Sequence, residues 1–304
     1  MNLKKSYCHI RKKTIDEIVN FIEIYKSEYP IKLICKVLKF PRSTYYKALN
    51  RAPSNRQLEN QVLDETIKAI HKESKQRYGA PKILKELESK GIIVSIKRVQ
   101  RHMAAMGIRS IVVKKYRPHS SKCNIEEREN LLNRDFNTSG INQKWCTDIT
   151  YIHTIQDGWT YLASCMDFYS RKIIGYAYSK SMTAELATKA VENACINVRD
   201  TAGIILQSDL GTQYTSRLFE DFLFKNQILH SYSRKGNPYD NAYIESFHSI
   251  LKKEEIHHNK YFDFKMAQMA IFEYIESWYN RKRIHGSLNY MTPQAFEDAS
   301  MAAA

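Results

Sequence analysis

Residues 144–178, KWCTDITYIHTIQDGWTYLASCMDFYSRKIIGYAY, decide the fold class. Three runs within it, WCTDITYIHTI, WTYLASCMDFY and KIIGYAY, are rich in β-branched and aromatic residues and read as strands. Asp157-Gly158 between the first two supplies a hairpin turn. Downstream, 183–198 reads as a helix, GIILQS (203–208) as a short apolar strand, 216–226 as a helix and ILHSYS as a last strand. Two helices, roughly 240–257 and 263–280, end this region. Three antiparallel strands followed by strand–helix alternation predict an α/β core with a mixed central sheet.

Upstream the period is helical. Ile15, Ile18, Val19, Ile22 and Tyr25 keep helical spacing, and Ile31, Ile34, Cys35 and Leu38 continue it after Pro30. Lys39-Phe40-Pro41 breaks the chain before Ser43, the expected N-cap of a helix carrying Tyr45 and Tyr46. A second helix pair follows. Pro81 suits a helix start, Gly91 its end, Ser95 the next cap and Gly107 the next stop. Ile96, Val99, Met103 and Met106 form the expected buried stripe. Lys97, Arg98 and Arg101 fall off it, where the second helix of a helix-turn-helix meets bases and phosphates. The expected division is 1–55, a first helical segment; 56–113, a second helix-turn-helix; 114–140, a polar linker with a short helix near 126–132; and 141–304, the α/β core.

Charge follows the same division. The 304 residues carry 47 Lys/Arg against 32 Asp/Glu, a net of +15. All of the excess lies before residue 122, a region whose basic side chains would repel one another unless a polyanion neutralised them. No apolar run is long enough to span a bilayer, and MNLKKSYCHIRKK lacks the apolar stretch of a secretory signal. Six scattered cysteines without a CxxC pair fit free thiols in a reducing cytosol, rather than a disulfide framework or a zinc site.

Three carboxylates stand out. Asp148 lies inside an otherwise uncharged strand, and Asp209 at the carboxyl end of GIILQS, where α/β sheets place their sites. Glu245 shares a helical stripe with Asn241, His248 and Lys252, while Ile244, Phe247 and Leu251 form the adjoining apolar stripe. Singly, each carboxylate reads as a cap, a turn former or a solvated face. Gathered together, three would repel one another unless a cation lay between them. Mg²⁺ takes a few carboxylates and keeps oxygen ligands for substrate phosphate. Two such ions can serve the attacking and leaving oxygens of an in-line displacement.

The blocks WCTDITYI (145–152), LQSDLGTQYTS (206–216) and SYSRKGNPYDNAYIESFHSILKKE (231–254) resemble the signature blocks of the DDE transposases of the bacterial insertion-sequence-three family, within the retroviral integrase superfamily. Thirty-five residues separate Asp209 from Glu245, as the family's motif has it. Lys252 stands where the family carries a basic residue that touches the DNA end. WYNRKRIHGSLNYMTPQAF (278–296) is similar to the closing block, with Ile284 where Pro is common, and 77–108 resembles the family's helix-turn-helix. The resemblance implies a ribonuclease-H-like core in which Asp148, Asp209 and Glu245 bind two Mg²⁺, with Mn²⁺ as a substitute. It implies hydrolysis at the element's ends followed by strand transfer from the freed 3′-OH. The implied partners are the terminal inverted repeats and target DNA, a second copy of the chain on that DNA, and an upstream helix-turn-helix/leucine-zipper product as fusion or partner. The implied location is the bacterial cytoplasm, at the nucleoid. Lys252, Lys97, Arg98, Arg101, Asn241 and His248 are the expected DNA contacts, His248 being equally a surface histidine. Asp167 reads as a turn former and Trp145 as core. A nuclease that cuts without joining, or a DNA-binding regulator with an inert core, are the rival readings.

Overall fold

The computed structural model describes residues 14–50, 52–111, 129–132, 135–233 and 241–303. The chain divides into two compact units, 1–66 and 67–304. In the first, α1 (Ile15–Tyr25), α2 (Ile31–Val37) and α3 (Arg42–Leu49) bury Ile22, Ile34, Cys35 and Tyr45 against one another. Thr14 and Glu17 close a reciprocal capping box at the start of α1. The cap of α3 is Pro41 rather than Ser43. Proline's fixed φ, here −62°, delivers the chain in extended form one residue before Arg42, so the helix starts earlier and Ser43 falls within its first turn.

α4 (Asn55–Glu73) crosses the boundary between the units. Beyond it, α5 (Ala80–Ser89) and α6 (Ile96–Ala105) form the expected hairpin. Gly91 and Gly107 adopt φ of +77° and +68°, the left-handed geometry that ends a helix. The Ser95 hydroxyl accepts the Arg98 N–H at 3.3 Å. Val99 and Met103 of α6 are buried, as are Ile83 and Leu87 of α5, but Ile96 is 38% exposed and Met106 half-buried. A helical side chain leans toward the N-terminus of its helix, so Ile96 in the first position overhangs the end.

The core sheet runs β3-β2-β1-β4-β5, from β1 (Lys144–Thr154), β2 (Gly158–Asp167), β3 (Ile173–Ser179), β4 (Ile205–Ser208) and β5 (Leu229–Tyr232). β1, β2 and β3 pair antiparallel; β4 pairs parallel with β1 and with β5. α7 (Ala184–Cys195) lies on one face so closely that a Cβ on Gly175 would stand 2.3 Å from the Ala190 carbonyl. Trp145 and Phe219, the latter on α8 (Arg217–Lys225), are fully buried in this layer. Asp167 is the turn former expected: its buried carboxylate accepts the N–H groups of Asn142, Tyr169 and Ser170.

β1 outruns β4. Only Lys144, Trp145 and Cys146 pair across to it, and the next contact on that edge is the bridge from Thr154 to Tyr261. Thr147 to His153 therefore present an edge with no ladder partner among the described residues. α9 (Ala242–Glu254) packs beside that edge, burying Ile244, Phe247 and Leu251 as the apolar stripe predicts. α10 (Phe264–Phe272) continues as a π-helical segment, Glu273–Tyr279, and α11 (Pro293–Ala303) follows. Residues 129–132 are not helical; Glu129 and Leu132 instead bond to Tyr232 and Ser231 of β5. Residues 126–128 of that expected helix lie outside the described residues, as does most of the expected linker. No helix among the described residues is long and apolar enough to cross a membrane.

Candidate active site

The open edge of β1 is where the three carboxylates come from three elements. Asp148 sits on it, opposite Ser164 of β2. Its Oδ1 accepts the Ile149 N–H at 2.8 Å, and its Oδ2 stands 3.3 Å from Nδ1 of His248 on α9. Nε2 of His248 lies 3.4 Å from the Ser164 hydroxyl. With its proton on Nδ1, the imidazole donates to Asp148 and accepts from Ser164, which fixes the ring between the two strands and the helix. Asp209 directly follows β4, and its Oδ1 accepts the Gly211 N–H at 2.9 Å. A side chain at Gly211 would crowd that oxygen, since its Cβ would stand 2.9 Å away. Glu245 rises from the first turn of α9.

Asp209 and Glu245 are both exposed, yet the groups around them pull both carboxyls up from the usual range. Partial loss of hydration is the first cause, and the charge of Asp148 the second; Glu245 also senses Asp209. The three are thus electrostatic neighbours. They are not a preformed cage: among the described residues no three Asp, Glu, His or Cys side chains are gathered closely enough to hold an ion as they stand. Asp148 and Asp209 are instead turned onto His248 and Gly211. The donor set still suits a hard dication in kind, being all carboxylate oxygen with a repulsion that a cation would relieve.

The other expected site residues fall in different settings. Lys252 is half-buried one turn beyond His248, its Nζ 4.1 Å from the centre of the Tyr151 ring. Burial lowers its ammonium, and Asp148 opposes that shift. Asn241 is buried at the N-cap of α9 and makes no cap hydrogen bond; among the described residues its Oδ1 has no partner. His248 is buried too, meeting protein rather than open solvent. Lys97 and Arg101 are exposed on α6, and Arg98 is half-buried. Residues 234–240, inside the third signature block, lie outside the described residues.

A buried cluster at the far end of α9 escaped the reading of the sequence. The Glu254 carboxylate accepts from Arg283 Nη2 at 2.9 Å, Tyr274 Oη at 3.0 Å and Trp278 Nε1 at 3.1 Å. Arg77 donates to the Glu254 carbonyl at 3.2 Å and pairs with Glu255, and Tyr78 bonds to Lys282 and Ile284. The segment between α4 and α5 is thereby bolted to the helix that carries Glu245 and Lys252. In the sequence, Glu254 looks like part of a solvated KKEE run; only its pairing with Arg283 in the closing block could have marked it.

This geometry can be set beside known proteins. An integrase core domain is matched over residues 139–238 and again over 226–293, and an HTH-like domain over 57–116. Transposase InsF for insertion sequence IS3A of Escherichia coli (strain K12) is 38% identical over 285 residues, which span 93% of this chain and 99% of InsF. The chain belongs to the IS3 family of transposases. The transposase for insertion sequence element IS904 of Lactococcus lactis subsp. lactis (strain IL1403) is 40% identical over 250 residues, 82% of this chain and 98% of that one. Among solved structures, the HTLV-2 integrase catalytic core domain in complex with magnesium aligns at a TM-score of 0.41 and 16% identity, over 53% of this chain and 99% of that one. As an integrase-core transposase it is an enzyme of the DDE polynucleotidyl transferase type, with a helical N-terminal region and a mixed five-stranded core as the sequence predicts.

Proposed function

We propose that this transposase cleaves the ends of its insertion element and joins them to target DNA, with Asp148, Asp209 and Glu245 as the catalytic carboxylates. The observation that supports this most is that the three are electrostatic neighbours at the open edge of β1, where partial burial first and one another's charge second raise Asp209 and Glu245. The three would hold two Mg²⁺, or Mn²⁺ in their place, which would supply neutralising charge and polarise the reacting phosphate. Asp148 would leave His248 to serve as a ligand, and His248, buried against Ser164, would guide its return. Water attacks the phosphodiester at the element's end, the bond to the 3′ oxygen breaks, and the freed 3′-OH attacks a phosphodiester of the target strand, displacing the 3′ oxygen of the adjoining target nucleotide, which leaves as a new 3′-OH. No side chain forms a covalent link to DNA in this scheme. Lys252 binds a phosphate beside the carboxylates and fixes the geometry of attack.

Affinity for the terminal repeats comes from the basic helices, with Lys97, Arg98 and Arg101 of α6 contacting groove and phosphates; the HTH-like match over 57–116 supports this. Residues 56–113 act as the DNA-binding module and 141–304 as the catalytic one, working at the bacterial nucleoid. Joining two ends needs two such cores, so the working form is a homo-oligomer on DNA, with an upstream-frame helix-turn-helix/leucine-zipper product as partner or fusion. The test is an oligonucleotide carrying one element end and a 3′-OH. Joined product in Mg²⁺, lost in Asp148→Asn, Asp209→Asn and Glu245→Gln while end binding persists, supports the reading. Cleavage without joining would make the protein a nuclease, and full cleavage by any of the three variants would remove that residue from the site.

A further inference from the structure

Next to the carboxylates lies a surface that the mechanism above does not use. Tyr151 and Trp159 are 56% and 55% exposed, although tyrosine and tryptophan are residues a folded core normally draws in. They are not scattered. Their rings meet edge to face at 5.2 Å, and His153, also exposed, stacks its edge on Trp159 at 5.0 Å. All three lie on one face of the β1–β2 hairpin, since Tyr151 and His153 are two apart on β1 and Trp159 faces His153 across the ladder. The same face also carries Ile149 and Tyr161, and both are packed beside Ala163 and Leu186 of the α7 layer. The aromatic cluster is what this face presents beyond that layer.

Its position relates it to the reaction. Tyr151 is three residues along β1 from Asp148, about 10 Å at strand spacing and on the opposite face of the strand, so the two are neighbours only around the unpaired edge of β1. That distance is about three nucleotide steps at the rise of a duplex. Lys252 joins the two places: its ammonium rests on the Tyr151 ring while sensing the charge of Asp148. A phosphate on Lys252 would carry its neighbouring base over the aromatic cluster. Within a duplex a base shows only its edges, because its faces are stacked on its neighbours. The rings of this cluster stand nearly perpendicular to one another, and the exposed face of any one of them can take only a base that has left the stack.

We propose that Tyr151 and Trp159, flanked by His153 and Lys252, form a stacking platform that captures an unpaired terminal base of the element's end and so holds the end open beside the carboxylates. This rests on the reading of Asp148, Asp209 and Glu245 as the active site. The platform takes any base, since stacking needs only a π face and no edge is read.

Photo-crosslinking tests it directly. 5-Iodouracil is placed in turn at each of the last three nucleotides of an oligonucleotide end, and the full chain is irradiated on it with Ca²⁺ in place of Mg²⁺. A crosslink mapping to Tyr151 or Trp159, lost in the Tyr151→Ala/Trp159→Ala double variant, is expected. In Mg²⁺ the double variant should cleave a fully paired end between about 5-fold and about 100-fold more slowly. It should recover most of that loss on an end whose terminal pairs are mismatched, and Tyr151→Phe with Trp159→Phe should stay near the unaltered rate. Absence of the crosslink, or a loss equal on paired and mismatched ends, would overturn the proposal. So would a double variant that fails to self-associate yet crosslinks unchanged elsewhere, since the surface would then belong to a second copy of the chain. Asp148→Asn separates the two readings. Cleavage by that variant would defeat the carboxylate assignment, whereas the crosslink requires no cleavage and reports on the platform alone.

Discussion

Glu254→Gln should destabilise the 67–304 unit strongly, although the substitution touches no expected ligand or DNA contact. Glu254 is 5% exposed, and its carboxylate receives hydrogen bonds from Arg283, Tyr274 and Trp278. Burial alone would push its carboxyl up, but the Arg283 charge and these donors outweigh it and hold it below the ordinary value. Removing the charge leaves the guanidinium of Arg283, itself 8% exposed, without its counter-ion. Breaking a buried pair from one side costs about 3–5 kcal/mol. For a domain of this size each kcal/mol lowers Tm by about 2–4 °C, so thermal unfolding should fall by about 6–20 °C. Acid adds a second readout. His285 is pushed down to about 2 by burial and by the charges of Arg283 and Lys82. Its neutral form is the folded one, so stability present above its unfolded pKa, about 6.5, is lost as pH falls toward 2. Glu254, also depressed, contributes stability above its unfolded pKa of about 4.3 that is lost through its folded value. The unaltered protein should therefore weaken from about pH 6.5 downward and steepen below about 4.3, and Glu254→Gln should lack the lower step. Calorimetry across pH 3 to 8 measures both. A Tm within 2 °C of the unaltered protein, with the lower step intact, would refute the reasoning.

Four further outcomes are expected. Asp209→Asn and Glu245→Gln should raise or leave unchanged the Tm of the metal-free protein, because each removes a charge its neighbours oppose, and should abolish any gain in Tm on adding Mg²⁺; a gain equal to that of the unaltered chain would exclude that residue as a ligand. Lys252→Ala should slow joining more than it weakens end affinity, and equal losses in the two assays would assign it a general electrostatic role. Replacing Lys97, Arg98 and Arg101 together by Ala should lower the magnitude of the log-affinity slope against log salt by up to about 2–3 and reduce preference for end sequences; an unchanged slope in filter binding would place the DNA elsewhere. Gly175→Ala should cost at least about 1–3 kcal/mol in urea unfolding, since its methyl would meet the Ala190 and Ala194 backbone of α7; a neutral result would show that the helix can withdraw freely.

The succession of strands and helices, the mixed sheet and the elements that carry the three carboxylates were legible because they depend on local pattern. Asp148 interrupts an uncharged strand and Asp209 ends an apolar one. The spacing of Ile244, Phe247 and Leu251 orients the helix that presents Glu245. What the sequence hid depends on distant partners. His248 shares the polar stripe of α9, but nothing local shows that β1 outruns β4 and leaves Asp148 open to it. Ile96 belongs to an apolar stripe by period and is exposed by its place at the end of α6. The region expected as one helix over 263–280 turns π-helical at 273–279. There Tyr274, Ile275, Trp278 and Tyr279 are all buried, a broader inward surface than a 3.6-residue period presents on one face.

The bolt between Arg77 and the end of α9 changes how the charge division should be understood. Cutting the chain at residue 121 divides basic from near-neutral sequence, but it would also strip Arg77 and Tyr78 from Glu254, Glu255 and Lys282. An isolated 122–304 piece would expose part of the buried surface around Tyr274 and Trp278, over which the Arg77 guanidinium lies at 5.1 and 4.7 Å. Weak DNA binding by such a piece would then mix two causes, lost basic helices and a disturbed α9. Cutting within α4, where the compact units divide, leaves the bolt in place and keeps α5 and α6 with the core. α5 and α6 and the helix that carries Glu245 are thus parts of one compact unit, and a phosphate bound on α6, as proposed, would lie at a set remove from Glu245. If the proposed roles hold, that coupling would let end recognition set the position of the reacting phosphate without any contact between the two sets of residues.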